Sequence, residues 1–146
     1  MPLYKTINHN PFTTIYVWKI EASFDELSEN IKLTERSISR LNYMKSELHR
    51  RGFLSIRHLL IEAGYSDFDL YYTPNGKPHL KDGKYISITH SYTFSALIIS
   101  DTEVGIDIEM NREKIKVIEK KFSKDFSIIF KTLATHSLGC FFISNN

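Results

Sequence analysis

The segment Val104-Gly105-Ile106-Asp107-Ile108-Glu109 carries two acids, two residues apart, on an otherwise apolar run. Side chains alternate between the two faces of a strand. Read as a strand, the segment sets Val104, Ile106 and Ile108 on one side and Gly105, Asp107 and Glu109 on the other. The two carboxylates then lie about 7 Å apart along the strand, two residues at roughly 3.3 Å each. Both can reach one divalent cation or its bound water, and the glycine leaves room on their face for a bulky group such as a phosphate. Two carboxylates are too few for an all-protein calcium cage, but they suit magnesium, which keeps several waters and shares its shell with substrate phosphates. The competing reading is an amphipathic strand with a wet face.

Three further groups of residues have chemical potential. Thr89-His90-Ser91 lies where one strand ends and the next begins. His90 shares parity with Ile86 and Ile88, so it is either a hydrogen-bonded histidine at a core edge or a phosphate ligand, with Ser91 as an additional hydroxyl donor. Gly76-Lys77-Pro78 reads as a loop that can set a backbone and a lysine against a ligand. Arg50, Arg51 and Arg57 form a solvated helix face or a phosphate-holding one, since the guanidinium fork matches phosphate geometry. Other chemistries find little support. The chain has no G-x-S-x-G nucleophile elbow. Its six histidines show no paired spacing and Cys140 stands alone, so zinc is not expected.

Elements must position these residues, and the composition allows them to. A chain of 146 residues suggests one domain, and 42% apolar with 25% charged residues can bury a core. A net charge of +2 does not indicate a general nucleic-acid binder. The single cysteine excludes an intramolecular disulfide and fits a reducing compartment. Met1 to Thr6 has no apolar signal core, and no run approaches the roughly 20 apolar residues of a membrane span. A soluble cytoplasmic protein is the expectation.

The periodicities predict mixed α and β structure. Thr14 to Ile20 is rich in β-branched and aromatic residues and reads as a strand. Ser23-Phe24-Asp25-Glu26 has capping-box spacing and starts a short helix. A longer helical region covers Arg36 to Ala63. Ile38, Leu41, Met44 and Leu48 form one apolar stripe, and Phe53, Ile56, Leu60 and Ala63 another. Gly52 marks a break between them, Gly64 a stop, and Lys45, His49, Arg50, Arg51 and Arg57 the polar side. Phe68 to Thr73 is a short strand followed by a Pro74-Asn75-Gly76 turn. Tyr85 to His90, Phe94 to Ser100 and the acidic strand, joined at Asp101-Thr102, make a three-stranded antiparallel meander. Glu113 to Phe122 is helical. Phe126 to Asn146 is apolar in places and shows no sustained period.

Taken in order, Gly76-Lys77-Pro78, Ile86-Ser87-Ile88-Thr89-His90-Ser91 and Val104-Gly105-Ile106-Asp107-Ile108-Glu109 resemble the 4'-phosphopantetheinyl transferases. The closer similarity is to the surfactin-synthetase-activating type, with its GKP loop, S-x-S-H-S-like strand end and G-[IV]-D-x-E strand. Phe53-Leu54-Ser55-Ile56-Arg57 looks like the family's arginine-bearing helix, and the similarity spans Thr34 to Ser123. The resemblance implies transfer of the phosphopantetheine arm of coenzyme A to a serine of an acyl or peptidyl carrier protein. It implies Mg²⁺ at Asp107 and Glu109, which also makes these the catalytic pair. It further implies His90, with Ser91 beside it, at a coenzyme A phosphate, Lys77 and Pro78 at the nucleotide, and Arg57 and Arg51 toward the 3'-phosphate. The implied fold is α+β, helices packed on a small, mainly antiparallel sheet.

Two departures stand out. The family's F-S-x-x-E reads Phe122-Ser123-Lys124-Asp125-Phe126 here, and its W-x-x-K-E does not occur. The family's larger enzymes pair two similar halves around the site. The chain is therefore read as an N-terminal half over 1–103 and the opening of a second half over 104–146, either truncated or frameshifted near Lys124 or with a genuine, divergent ending whose second half comes from another copy. Impaired activity, a non-catalytic remnant that binds coenzyme A or a carrier protein, and self-association through an uncovered half-interface are the corresponding expectations.

Overall fold

The computed structural model describes residues 3–110, 123–132 and 139–145, with side chains described as far as Ile108. Nine strands and three α-helices occur among the described residues, so the chain is α+β with antiparallel sheets. Four strands make the main sheet, in the order β1 (Leu3–Asn10), β2 (Thr13–Lys19), β6 (Phe94–Ser100), β5 (Tyr85–His90). All three pairings are antiparallel.

The core is organised around β6, whose seven residues are all buried. Leu97 and Ile99 face helix α3 (Glu47–Glu62) and join Trp18, Ile86, Phe53, Leu59 and Leu60. Phe94, Ala96 and Ile98 face the other way, with Ile15 and Val17. On that second side they meet Ile106 and Ile108 of β7 (Val104–Met110). A strand covered on both faces reads as a continuous apolar run, which is how FSALIIS appears. Full burial of one such side chain contributes about 1.5–3 kcal/mol.

The acidic strand does not extend a meander. The free edge of β6 is taken by β2, so β7 crosses the face of the sheet instead. It joins a separate antiparallel sheet, β7-β8-β9, with β8 at Ser123–Thr132 and β9 at Gly139–Asn145. The apolar tail segments that showed no period thus lie in strands. The helix expected over Glu113 to Phe122 falls outside the described residues.

The helices confirm some local signals and correct others. Ser23 and Glu26 form the capping box of α1 (Phe24–Ser28). The predicted single helical region is two helices, α2 (Glu35–Tyr43) and α3, and the break is at 44–46, not at Gly52. Met44 is extended, and the Ser46 hydroxyl accepts from the His49 N–H to cap α3. Gly52 lies inside α3, where packing outweighs its poor helix propensity. Gly64 ends the helix with φ +86°. Ile38 is 47% exposed while Ser37 and Leu41 are buried, so the α2 stripe is rotated from the predicted one. Arg57, expected on the polar side, is buried.

A hairpin of β3 (Leu70–Tyr72) and β4 (Pro78–Leu80) turns through Pro74-Asn75-Gly76, with Gly76 at φ +84°. A 3₁₀ turn at Asp67–Asp69 replaces the start of the predicted strand. Among the described residues, no helix is long and apolar enough to cross a membrane.

Two-sided burial of β6 predicts that Ile98→Ala lowers unfolding free energy by about 2–5 kcal/mol, because it opens a cavity between sheet and β7. The exposed Ile38→Ala should change it by about 0.5 kcal/mol or less. Chemical denaturation measures both, and equal effects would contradict the two-sided packing of β6.

Candidate functional site

Helix α3 meets the C-terminal end of β5 at Gly52. A Cβ built there would stand 3.3 Å from His90 Nδ1 and 3.4 Å from its Cγ, so the missing side chain makes room for the imidazole. One turn earlier on α3, His49 faces the same ring edge-on, with centroids 6.2 Å apart. The two histidines border a cavity of about 380 Å³ that also takes in Arg40, Arg57, Tyr72, Gly76 and Pro78. Met44, Phe53, Ile56 and Ile88 supply its apolar wall, and among the described residues none of the lining ones is acidic. Partial burial, and then the proximity of His49, hold the His90 pKa below its ordinary 6.5. An anion that supplied a partner would reverse that shift.

Arg57 lines the cavity from within the core. Its Nε donates to Asp67 Oδ1 at 3.1 Å, its Nη2 to the Tyr72 hydroxyl at 3.4 Å, and its guanidinium lies over Phe53. Asp67 also accepts from the Thr34 backbone N–H at 2.8 Å. Burial alone would push the Asp67 carboxyl up. Hydrogen bonds from Thr34 and Ser37, together with Arg57, outweigh it and hold the pKa below the ordinary 3.8. The Arg57 charge is thus largely answered by Asp67. Arg36 and Arg40 lie 5.3 and 5.8 Å from the Tyr72 ring, and Arg40 brings a more exposed charge to the cavity rim.

The acidic strand is fastened beside this end of β5. Ser87 and Thr89, on the face of β5 opposite His90, accept the backbone N–H groups of Ile106 and Ile108 at 3.1 and 3.3 Å. Thr89 also donates to Asp107 Oδ1 at 3.4 Å. The alternation is as expected, with Ile106 and Ile108 buried and Asp107 exposed. Space beside it is open, since a Cβ on Gly105 would meet nothing within 4 Å. Glu109 holds the next position of Asp107 parity, paired with Ser127, and its side chain lies outside the described ones.

Lys77 does not line the cavity with its neighbours Gly76 and Pro78, and pairs with Glu103 at 2.9 Å, one residue before β7. Gly76 and Pro78 thus share the cavity with His90, Lys77 reaches Glu103 just before β7, and Asp107 is held by Thr89 on the opposite face of β5 from His90. Arg51 and Ser91 do not line the cavity. Arg51 donates to the Ala22 and Ile20 carbonyls, bracing α3 against the loop after β2, and Ser91 donates to the Phe94 carbonyl. His49 and Arg40 are the lining residues that a sequence reading misses. The signal for His49 is its i, i+3 spacing to a glycine inside a helix, a mark of close backbone approach.

Among the described residues, no three His, Cys, Asp or Glu side chains gather as a metal shell. One exposed carboxylate with a hydroxyl and open space beside it does fit magnesium, which takes one or two carboxylates and completes its shell with water and phosphate.

Two predictions follow from this geometry. Asp67→Asn leaves a buried guanidinium uncompensated and should cost about 3 kcal/mol at pH 7. The depressed Asp67 pKa makes its contribution present above the unfolded value of 3.8 and lost as pH falls through the folded one. The stability gap between wild type and variant should therefore narrow only below pH 3.8; a gap constant down to pH 2.5 would contradict the pairing. Gly52→Ala should keep or raise helix stability by up to about 1 kcal/mol while displacing the His90 ring. Imidazole NMR shifts of His90 check this, and an unmoved ring would refute the close approach.

No family model matches the chain, and no curated protein sequence matches it.

Proposed function

We propose that this chain binds coenzyme A at the His90 cavity and, with Mg²⁺, transfers its 4'-phosphopantetheine arm to a serine of an acyl or peptidyl carrier protein. One observation carries the reading. Three sequence motifs, separated by up to 33 positions from Gly76 to Glu109, are linked in space: Gly76 and Pro78 line the His90 cavity, Lys77 pairs with Glu103 before the acidic strand, and Thr89, next to His90, donates to Asp107. The His90 cavity has basic side chains, no acidic one among the described residues, and an apolar wall suited to a nucleotide.

In this reading His90 and Arg40 hold phosphate, and Gly76 and Pro78 back the nucleotide. Arg57 shapes the wall more than it supplies charge. Asp107 and Glu109 would hold the ion, which when bound supplies charge neutralisation at the pyrophosphate. The carrier serine oxygen forms a bond to the pantetheine-side phosphorus, the bridging P–O bond breaks, 3',5'-ADP leaves, and the hydroxyl proton passes to solvent. Positioning and electrostatics do most of the work in such transfers.

A second reading, binding of coenzyme A or a carrier without transfer, is favoured by one observation. The family's W-x-x-K-E, with its further carboxylate and lysine, does not occur in the sequence.

Incubation with coenzyme A, Mg²⁺ and an apo carrier protein, followed by mass spectrometry of the carrier, tests transfer. The expected result is a carrier heavier by one phosphopantetheine, with Asp107→Ala slowing the reaction about 100-fold or more. Coenzyme A binding by calorimetry without any mass gain would support the second reading. Absence of both would refute the proposal.

A further inference from the structure

We infer that a second cavity, between α2 and the β3–β4 hairpin, is a binding site for a small aromatic carboxylate, with Arg36 as an anion ligand and Phe68 and Tyr71 as ring contacts. The site goes beyond the coenzyme A reading and does not depend on it.

The cavity holds about 230 Å³. Arg36 and Arg40 enter it from α2, Phe68 from the Asp67–Asp69 turn, Tyr71 and Tyr72 from β3, and Lys81 from just after β4. Arg40 and Tyr72 also border the His90 cavity, whereas Arg36, Phe68, Tyr71 and Lys81 do not. The volume falls below the roughly 300–1,000 Å³ of pockets that take drug-sized ligands. One ring with its acid group is the scale of molecule it admits.

The charges ask for an anion. Arg36 and Arg40 stand one turn apart on α2, and their guanidiniums lie 5.3 and 5.8 Å from the centroid of the same Tyr72 ring. Like charges at that spacing repel, and among the described residues neither has an ion-pair partner. Asp67 is the acid in the lining, and its carboxylate is already engaged by Arg57 and Thr34. Lys81 adds a further exposed cation. A planar guanidinium fork meets a carboxylate through two parallel hydrogen bonds.

The rings ask for an apolar, planar partner. Phe68 is 50% exposed and Tyr71 46%, although both line the cavity. Tyr71 is held by its stack on His79, with centroids 5.4 Å apart and 18° between planes. Phe68 is held by the turn that Ser66 and Asp69 cap. An incoming ring gains stacking against such positioned faces beyond the area it buries. A single molecule carrying both a ring and a carboxylate answers the cations and the exposed rings together. An aliphatic acid or inorganic phosphate answers only the first.

The test titrates benzoate, acetate and inorganic phosphate into the full chain and follows the arginine Nε–H and aromatic ring signals by NMR. Benzoate should move Arg36, Phe68 and Tyr71 together with one dissociation constant, and acetate should bind about tenfold more weakly. Arg36→Gln should weaken benzoate about tenfold, as loss of one hydrogen bond to a charged group does, with the unfolding midpoint unchanged. Phe68→Ala should weaken benzoate about fivefold and leave acetate unchanged, which separates the ring contact from the charge. No movement of these signals at millimolar benzoate, acetate or phosphate binding as tightly as benzoate, or an unchanged benzoate affinity in Arg36→Gln would overturn the site. Failure of benzoate while coenzyme A binds overturns this site alone. Benzoate bound here while coenzyme A binds nowhere overturns the coenzyme A reading alone.

Discussion

Burial of β6 on both faces is the constraint on which the rest of the structure depends. One face takes α3 and the other takes β7, so a single strand sets the separation of the helix that carries His49 and the strand that carries Asp107. β5 lies at the edge of the same sheet, and its alternation distributes the site. His90 goes to the helix side, while Ser87 and Thr89 go to the β7 side. The basic cavity and the exposed carboxylate are therefore outputs of one register, that of β5 against β6. A slip of one residue would exchange the two faces and separate the site.

The electrostatics of the cavity rest on a division of labour between arginines. Arg57 is nearly inaccessible and neutralised by Asp67, which is itself fixed by the start of α2 through Thr34. That pair is expensive to desolvate, and its geometry is what makes it tolerable. It joins α2, α3 and the Asp67–Asp69 turn behind the cavity. Arg40, by contrast, sits at the rim over Tyr72, with no acid paired to it among the described residues. The cavity thus carries one rim guanidinium and one already committed to Asp67.

Local signals were legible in the sequence wherever the physics is local. The Ser23 box, the turn at Gly76, the stop at Gly64 and the alternation of Ile106, Asp107 and Ile108 all depend on neighbours within a few residues. What sequence could not supply depended on distant partners. Gly52 looks like a helix breaker until His90, 38 positions away in sequence, is seen against it. Arg57 belongs to a polar stripe by spacing, and only Asp67 explains its burial. Ile38 fits an apolar stripe by period, yet the helix turns Ser37 and Leu41 inward and leaves Ile38 exposed. Three consecutive strands suggest a meander, but β2 had already claimed the edge of β6. β1 gave no clear signal because its exposure alternates and its residues are mostly polar. The three motifs were legible as an order along the chain, and the packing of β7 across the sheet is what brings the acidic strand beside β5.

The central claim is that one end of this fold is a site for coenzyme A, with phosphate at His90 and a cation at Asp107. A crystal structure of the chain grown with coenzyme A and Mg²⁺ tests it most directly. The account predicts nucleotide density between α3 and the Gly76–Pro78 loop, a phosphate in hydrogen-bond reach of His90, and a cation coordinated by Asp107. Coenzyme A bound elsewhere, or bound with no phosphate near His90 and no ion at Asp107, would contradict it.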